Sequence, residues 1–326
     1  MPATRCIFAL ACALALASPP ALSSEDYPNR PVTIVVPFAP GGGVDHMARL
    51  VASELEKRWK RPFLIENKPG AGSIVAAGHV QKQPADGYTL LMAPAPTMAV
   101  NPALYKELPY EPLRDFTPLA LLSGSPFVLL VNPKVPAKSV EELIAHAKAH
   151  PDKLSFASAG PGVPHHLFAE LFMSMTGIKM SHVPYKGSAP AINDLTAGHI
   201  PLMFSDLGPA AGLLKANKVR ALGISTATRH PSYPDIAPIS ELGVPDFKVV
   251  SWQMIVAPSK TPRSVVEKLH KEINAALATK AVQTRILDYG FLPMEQLSLD
   301  GLQAFVKEEA ERWTKVIGDA GLAGSR

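Results

Sequence analysis

The chemistry in this chain is offered by backbone groups more than by side chains. The stretch Val36-Pro37-Phe38-Ala39-Pro40-Gly41-Gly42-Gly43-Val44-Asp45-His46 joins an apolar run, PVTIVV, to HMARLVASELEKRW, which has helical spacing. A second stretch, FASAGPGVPHHLFAELF, repeats the design. In it Ser158, Ala159, Gly160, Pro161 and Gly162 precede a helix start, and Val163 stands before His165 as Val44 stands before His46. Helix N-termini carry about half a positive charge and several N–H groups without intrahelical partners. Small residues leave those groups bare, so each stretch can receive an anion. A tight strand-to-helix turn also accounts for a glycine or two, and one stretch alone does not separate the readings. Two such stretches facing one another would hold a carboxylate-bearing ligand from both ends, and the pairing favours that reading. Asp45 reads as the helix N-cap rather than as a catalytic acid.

Competing chemistries find less support. PGAGSIVAAG, residues 69–78, contains G-x-G-x-x-V after an apolar run, but the window that should supply a ribose-binding carboxylate, LMAPAPTM, has none, so it reads as a turn. No G-x-S-x-G elbow occurs. His165 and His166 are adjacent, hence on different helix faces, and are read as lacking an acidic partner one turn on, which disfavours zinc. The methionines of MSMTGIKM read as core. No cofactor and no metal are expected.

Such loops need rigid elements behind them. Apolar strands interleave with amphipathic helices along the chain, which predicts an α/β fold of parallel-rich sheets covered on both faces by helices. The extended apolar stretch from Leu119 to Val131 is too long for one strand in one domain. It predicts a strand that leaves one sheet and enters another, with residues 246–258 as the return: two lobes, a two-strand hinge and a cleft between them. The expected division is 24–124 with 251–326 for one lobe and 125–250 for the other. Ligands in open parallel sheets sit beyond the carboxyl ends of the strands, where both loops would lie.

The bulk properties agree. The chain has 326 residues, 47% of them hydrophobic, enough for two domains with a sizeable core. A formal charge of +4 and no basic run argue against nucleic acid as a partner. Arg5 followed by CIFALACALALA and the small residues of SPPALS reads as an export signal over residues 1–23, with Ser18 as an alternative start of the exported chain. The apolar run is shorter than the about 20 residues a membrane span needs. Cys6 and Cys12 both fall inside this signal, so the exported chain would carry no disulfide and no thiol nucleophile.

At these residues the sequence resembles the Bug-type extracytoplasmic solute receptors, the periplasmic binding component of tripartite tricarboxylate transporters. The motifs are YPNRPVTIVVPFAPGGGVD, IENKPGAGS, PADGYTLLM, NPALYKELPYEPLRDFTPL, HVPYKGSAPAINDLTAGHIPLMF and VRALGIST, which span nearly the whole chain after the signal. The resemblance implies a type II, Venus-flytrap binding-protein fold, a monomer that closes on a small carboxylate, membrane permease subunits as partners, and no catalysis. It implies ligand contacts at Phe38, Gly41, Gly42, Gly43, Val44 and Asp45 in the first lobe, and at Ser158, Ala159, Gly160, Gly162, Val163 and His165 in the second. Thr97, Lys186, Ser205 and Asp206 are further candidates. For Lys186 a solvated surface position stands as the alternative, and for Asp206 a strand-end cap.

The departures from the family pattern bear on the ligand. The family has Ser or Thr where this chain has Val44 and Val163, and an N–H donor where it has Pro161. A hydroxyl bonded to a carboxylate contributes about 1.5–3 kcal/mol, so a short, highly charged diacid loses support. An alkyl or aromatic body, gaining about 25 cal/mol per Å² of buried apolar surface, would compensate. An exported hydrolase or isomerase of similar build is the rival enzyme reading, against which stands the lack of a nucleophile–base pair. A sensor subunit for a signalling partner is the rival receptor reading, and neighbouring membrane-protein genes would decide between it and transport. If the export reading is right, N-terminal sequencing of the protein from its producing cell begins near Ser24 or at Ser18; an intact Met1 on cytoplasmic protein contradicts it.

Overall fold

A computed structural model describes residues 27–151 and 153–325. The export signal, with Cys6 and Cys12, lies outside the described residues.

The strands are β1 (Val32–Val36), β2 (Phe63–Asn67), β3 (Thr89–Pro94), β4 (Phe116–Ser125), β5 (Phe127–Val131), β6 (Ser155–Ser158), β7 (Ser181–Pro184), β8 (Leu202–Asp206), β9 (Arg220–Ile224), β10 (Ser251–Pro258) and β11 (Leu292–Pro293). They form two sheets, in the orders β11-β4-β10-β3-β1-β2 and β7-β6-β8-β5-β9. The architecture is the two-lobe α/β fold of periplasmic binding proteins. Strands such as Val32–Val36 and Phe127–Val131 are apolar almost throughout because helices cover both faces of each sheet.

Both sheets are mixed rather than wholly parallel. β1 runs parallel to β2 and β3, and β6 parallel to β7 and β8. β10 is antiparallel to β3 and β4, while β5 is antiparallel to β8 and β9. β5 and β10, which flank the crossings, are thus reversed in their sheets, and the short β11 is likewise antiparallel to β4. The extended stretch is divided at Pro126: β4 ends at Ser125 in the first sheet and β5 begins at Phe127 in the second. Proline has no N–H to lose from either ladder, so it suits the joint. On the return, the Val249 N–H donates to the Ser225 carbonyl of the second lobe at 2.9 Å, and Ser251 then opposes Ser125 in the first sheet.

The closing helix, Leu299–Asp319, ties the lobes together behind the hinge. Its Trp313 stacks on Phe168 of the second-lobe helix Pro164–Thr176, with ring centroids 6.0 Å apart. Its buried Glu309 accepts a hydrogen bond from the Trp252 indole of β10 at 2.7 Å. The carboxyl ends of β1, β3, β6 and β8 therefore all open toward one inter-lobe space.

Candidate ligand-binding cleft

That space is a cavity of about 750 Å³, within the range of small-molecule sites. The first lobe contributes the wall from Phe38 to Val44, with Gly72, Pro96, Asn101, Leu104 and Tyr105. The second contributes Phe127, Ala159, the run from Pro161 to His165, Ser188 and Asp206, and the hinge contributes Ser251.

The first loop is braced from behind. The helix runs Gly43–Trp59 with Gly42 at its N-cap, so Asp45 is not the cap that the sequence suggests. It lies in the first turn of the helix, buried, and its carboxylate reaches back to the loop. Oδ2 accepts from the Gly41 N–H at 2.9 Å and from Arg49 Nε at 2.8 Å, while Oδ1 accepts from Asn67 Nδ2 at 2.9 Å. Burial pushes this carboxyl up, but the bonds from Arg49, Gly41 and Asn67 outweigh it and hold it at about 2. Asp45 is therefore a permanent anion neutralised by Arg49, and it does not line the cleft. Among the described residues, the N–H groups of Gly42, Gly43 and Val44 keep no partner and start the helix toward the cavity. Gly43 has no room for a side chain: a Cβ there would lie 2.5 Å from Phe291 Cζ.

The second loop rests on a stack of rings. Gly162 donates its N–H to His166 Nδ1 at 3.0 Å. That nitrogen must then be the bare one, so the His166 proton sits on Nε2, which faces Glu170 Oε1 at 3.2 Å. His166 thus does have an acidic partner one turn on, contrary to the expectation from sequence, and the pair braces the loop rather than binding zinc. No group of three or more metal-ligating side chains occurs among the described residues. The Gly162 N–H is consumed here, and the Gly160 N–H goes to Ser158 Oγ at 3.0 Å. The unspent donors of this loop among the described residues instead include the N–H groups of Ala159, Val163 and His165, the last two at the helix start. His182 lies face to face with His166, centroids 3.9 Å apart and 13° from parallel, with its Nε2 2.6 Å from Ser158 Oγ. Burial lowers the His182 pKa, and the neighbouring His166 lowers it further, to about 4.

The positions expected from sequence divide into two groups. Phe38, Gly41, Gly42, Gly43, Val44, Ala159, Gly162, Val163, His165 and Asp206 come together around the cavity. Asp45, Thr97, Ser158, Gly160, Lys186 and Ser205 do not line it. Thr97 is buried and donates to Ser73 Oγ at 2.7 Å, Ser158 braces the second loop, and Ser205 is buried on β8. Lys186 is exposed. Sequence reasoning did not single out Leu104, Tyr105, Phe127, Ser188 or Ser251. The small residues of YKGS before a helix were the available signal for Ser188, and the strand crossing itself for Phe127 and Ser251.

Two features set the electrostatics. No arginine or lysine is among the described residues lining the cavity. Asp206, which lines it, stands at the N-cap of the helix Leu207–Lys215 but makes no capping hydrogen bond. His165 Nε2 is 3.1 Å from Asp206 Oδ2, yet neither His165 ring nitrogen forms a hydrogen bond of acceptable direction. The walls also touch: a Cβ at Gly162, where φ is +76°, would lie 2.4 Å from Leu104 Cδ2 of the other lobe.

Comparison with known proteins gives this arrangement a context. The profile described as "Tripartite tricarboxylate transporter family receptor" matches residues 47–322. A UPF0065 protein from the tcbD–tcbE intergenic region of Pseudomonas sp. strain P51 is 36% identical over 314 residues, covering 96% of this chain and 93% of that protein. Protein BugT of Bordetella pertussis is 34% identical over 301 residues, covering 92% of each. Among solved structures, R. palustris Rpa4515 with adipate superposes with a TM-score of 0.78 at 37% identity, over 91% of this chain and 99% of that one. MatC from Rhodopseudomonas palustris, with bound malate, gives 0.74 at 36% identity, over 89% and 100%.

The ring stack makes a pH prediction. A histidine whose folded pKa lies below its unfolded value of about 6.5 favours folding fully above that value, and the contribution is lost as pH falls toward the folded pKa. The His182 ring should therefore stay neutral at pH 6 and titrate near 4, with the second loop loosening over that window. Ring carbon and proton NMR shifts measure this, and a midpoint near 6.5 would contradict the stack.

Proposed function

The chain belongs to the family of tripartite tricarboxylate transporter receptors, and from that premise we propose that it is a periplasmic solute-binding receptor. It captures one small carboxylated, partly apolar metabolite between its lobes as a monomer and delivers it to the permease subunits of such a transporter. The observation that carries this reading is the pair of helix starts on opposite walls of one cavity, with the N–H groups of Gly42, Gly43 and Val44 on one side and of Val163 and His165 on the other. A receptor must release its cargo, and neutral backbone donors hold an anion without the desolvated charge of a buried arginine pair. The receptor family to which the chain belongs supports binding rather than catalysis. The similar solved structures of Rpa4515 with adipate and MatC with bound malate support a carboxylate as the anion.

Val44 and Val163 both line the cavity, which supports an apolar body resting between the two donor sets. Replacing both by threonine adds hydroxyls at little steric cost. Against an apolar body each is left unpaired, which costs about 1–3 kcal/mol, or roughly ten- to hundredfold in affinity. Calorimetry with alkyl and aromatic monocarboxylates on the wild type and the double variant tests the reading. The expected result is measurable binding by the wild type and weaker binding by the variant; no binding of any carboxylate, or tighter binding by the variant, contradicts it.

A further inference from the structure

We propose that the groove between the helices Gly43–Trp59 and Lys280–Asp288 is a second anion site, which takes a small polyanion such as an oligophosphate. It lies apart from the inter-lobe cleft, and no residue lines both.

The two helices enclose a cavity of about 740 Å³, within the range of small-molecule sites. Arg49 and Lys57 line it from the first helix, and Lys280 and Arg285 from the second, against a single acid, Glu54. Glu54 is taken by Lys57, whose Nζ lies 2.6 Å from Oε1. Arg49 gives Nε and Nη2 to Asp45 and keeps Nη1. Lys280 and Arg285 have no acidic partner among the described residues, and Arg285 has only the Tyr289 ring, 5.8 Å from its Cζ. The second helix also begins at this cavity. Lys280 and Ala281 are its first residues and Thr279 caps it, so its positive end adds to the same field. Ser53 and Thr284 contribute hydroxyl donors to the lining. Cations gathered with so little acid among them repel one another, and an anion that settles there relieves the repulsion.

Spacing sets the class of anion. Arg49 and Lys57 stand eight residues apart on one helix, about 12 Å along its axis, and Lys280 and Arg285 about 7.5 Å along theirs. One carboxylate reaches only part of that field. An anion of several linked negative groups spans it, and the volume of the cavity suits a small molecule of this kind. The cleft has the opposite character. Among the described residues its lining has no arginine or lysine, and it offers backbone donors beside two valines. The two sites would therefore sort anions by charge, the cleft taking a partly apolar carboxylate and the groove a polyanion.

Calorimetry at low ionic strength with phosphate, pyrophosphate and tripolyphosphate tests this, with amide NMR to locate the site. Affinity should rise along the series, with one tripolyphosphate bound per chain. Lys280→Gln with Arg285→Gln should weaken tripolyphosphate by about tenfold, since each exposed ion pair is worth a few-fold. Lys148→Gln with Lys218→Gln, which removes the same charge from the second lobe, should leave the affinity nearly unchanged. Thermal unfolding checks the fold of each variant. The shifted amides should gather at Ala281, Thr284 and Arg285, with those of Val163 and His165 still. No binding, or equal losses in the two double variants, overturns the inference, the second because it shows only a response to overall charge. Shifts centred on Gly42–Val44 and Val163–His165 place the polyanion in the cleft and also overturn it. Hexaglutamate binding tighter than tripolyphosphate makes the groove a surface for an acidic peptide, and the small-anion assignment falls.

Discussion

A cleft lined, among the described residues, without arginine or lysine offers an anion the positive starts of two helices, and the proposed function depends on where those N–H groups point. Backbone donors act only where the chain points them, so both glycine loops are fixed by side chains that never touch the cavity. Asp45 ties Gly41 to Arg49 and Asn67, while His166, held by Glu170, takes the Gly162 N–H. Each brace uses up one loop donor and fixes the direction of those left over. A charged clamp would bind harder but would also pay the desolvation of its own ions; neutral donors suit a ligand that must leave again.

Donors on two walls are useful only if the walls can meet. The hinge strands cross at Pro126 and at Val249–Ser251, and the closing helix, anchored to β10 of the first sheet through Glu309 on Trp252, reaches the second lobe through Trp313 on Phe168. Leu104 of one wall lies against Gly162 of the other, where no side chain would fit. A ligand that touches both loops favours the closed arrangement by its extra contacts there, and a shift from mostly open to mostly closed requires about 5.5 kcal/mol of such preference.

Much of this was legible in the sequence because it rests on local pattern. The alternation of apolar strands and amphipathic helices, the stretch at Leu119–Val131 and the two glycine-rich helix starts all have signatures within a few residues. What the sequence hid depends on rotation and register. Asp45 reads as a cap, but the helix begins at Gly43, which turns the carboxylate inward to Arg49 and Gly41. Gly162 reads as a ligand donor, but one turn of helix returns His166 beneath it. Ser158 and Ser205 sit at strand ends whose alternation buries them, and Thr97 faces Ser73 behind the first-lobe wall. The antiparallel strands at the hinge follow from the chain having to re-enter a sheet it had left, which no local signal encodes.

The central claim is that both glycine loops hold one ligand at once. Amide NMR on the protein saturated with a ligand carried through purification, or with the tightest carboxylate found by titration, tests it most directly. The account predicts that the Gly42, Gly43 and Val44 amides and the Val163 and His165 amides shift downfield together, with one shared affinity, while the Gly41 and Gly162 amides, already bonded within the chain, move little. Shifts confined to one loop, or two loops titrating with different affinities, would contradict it.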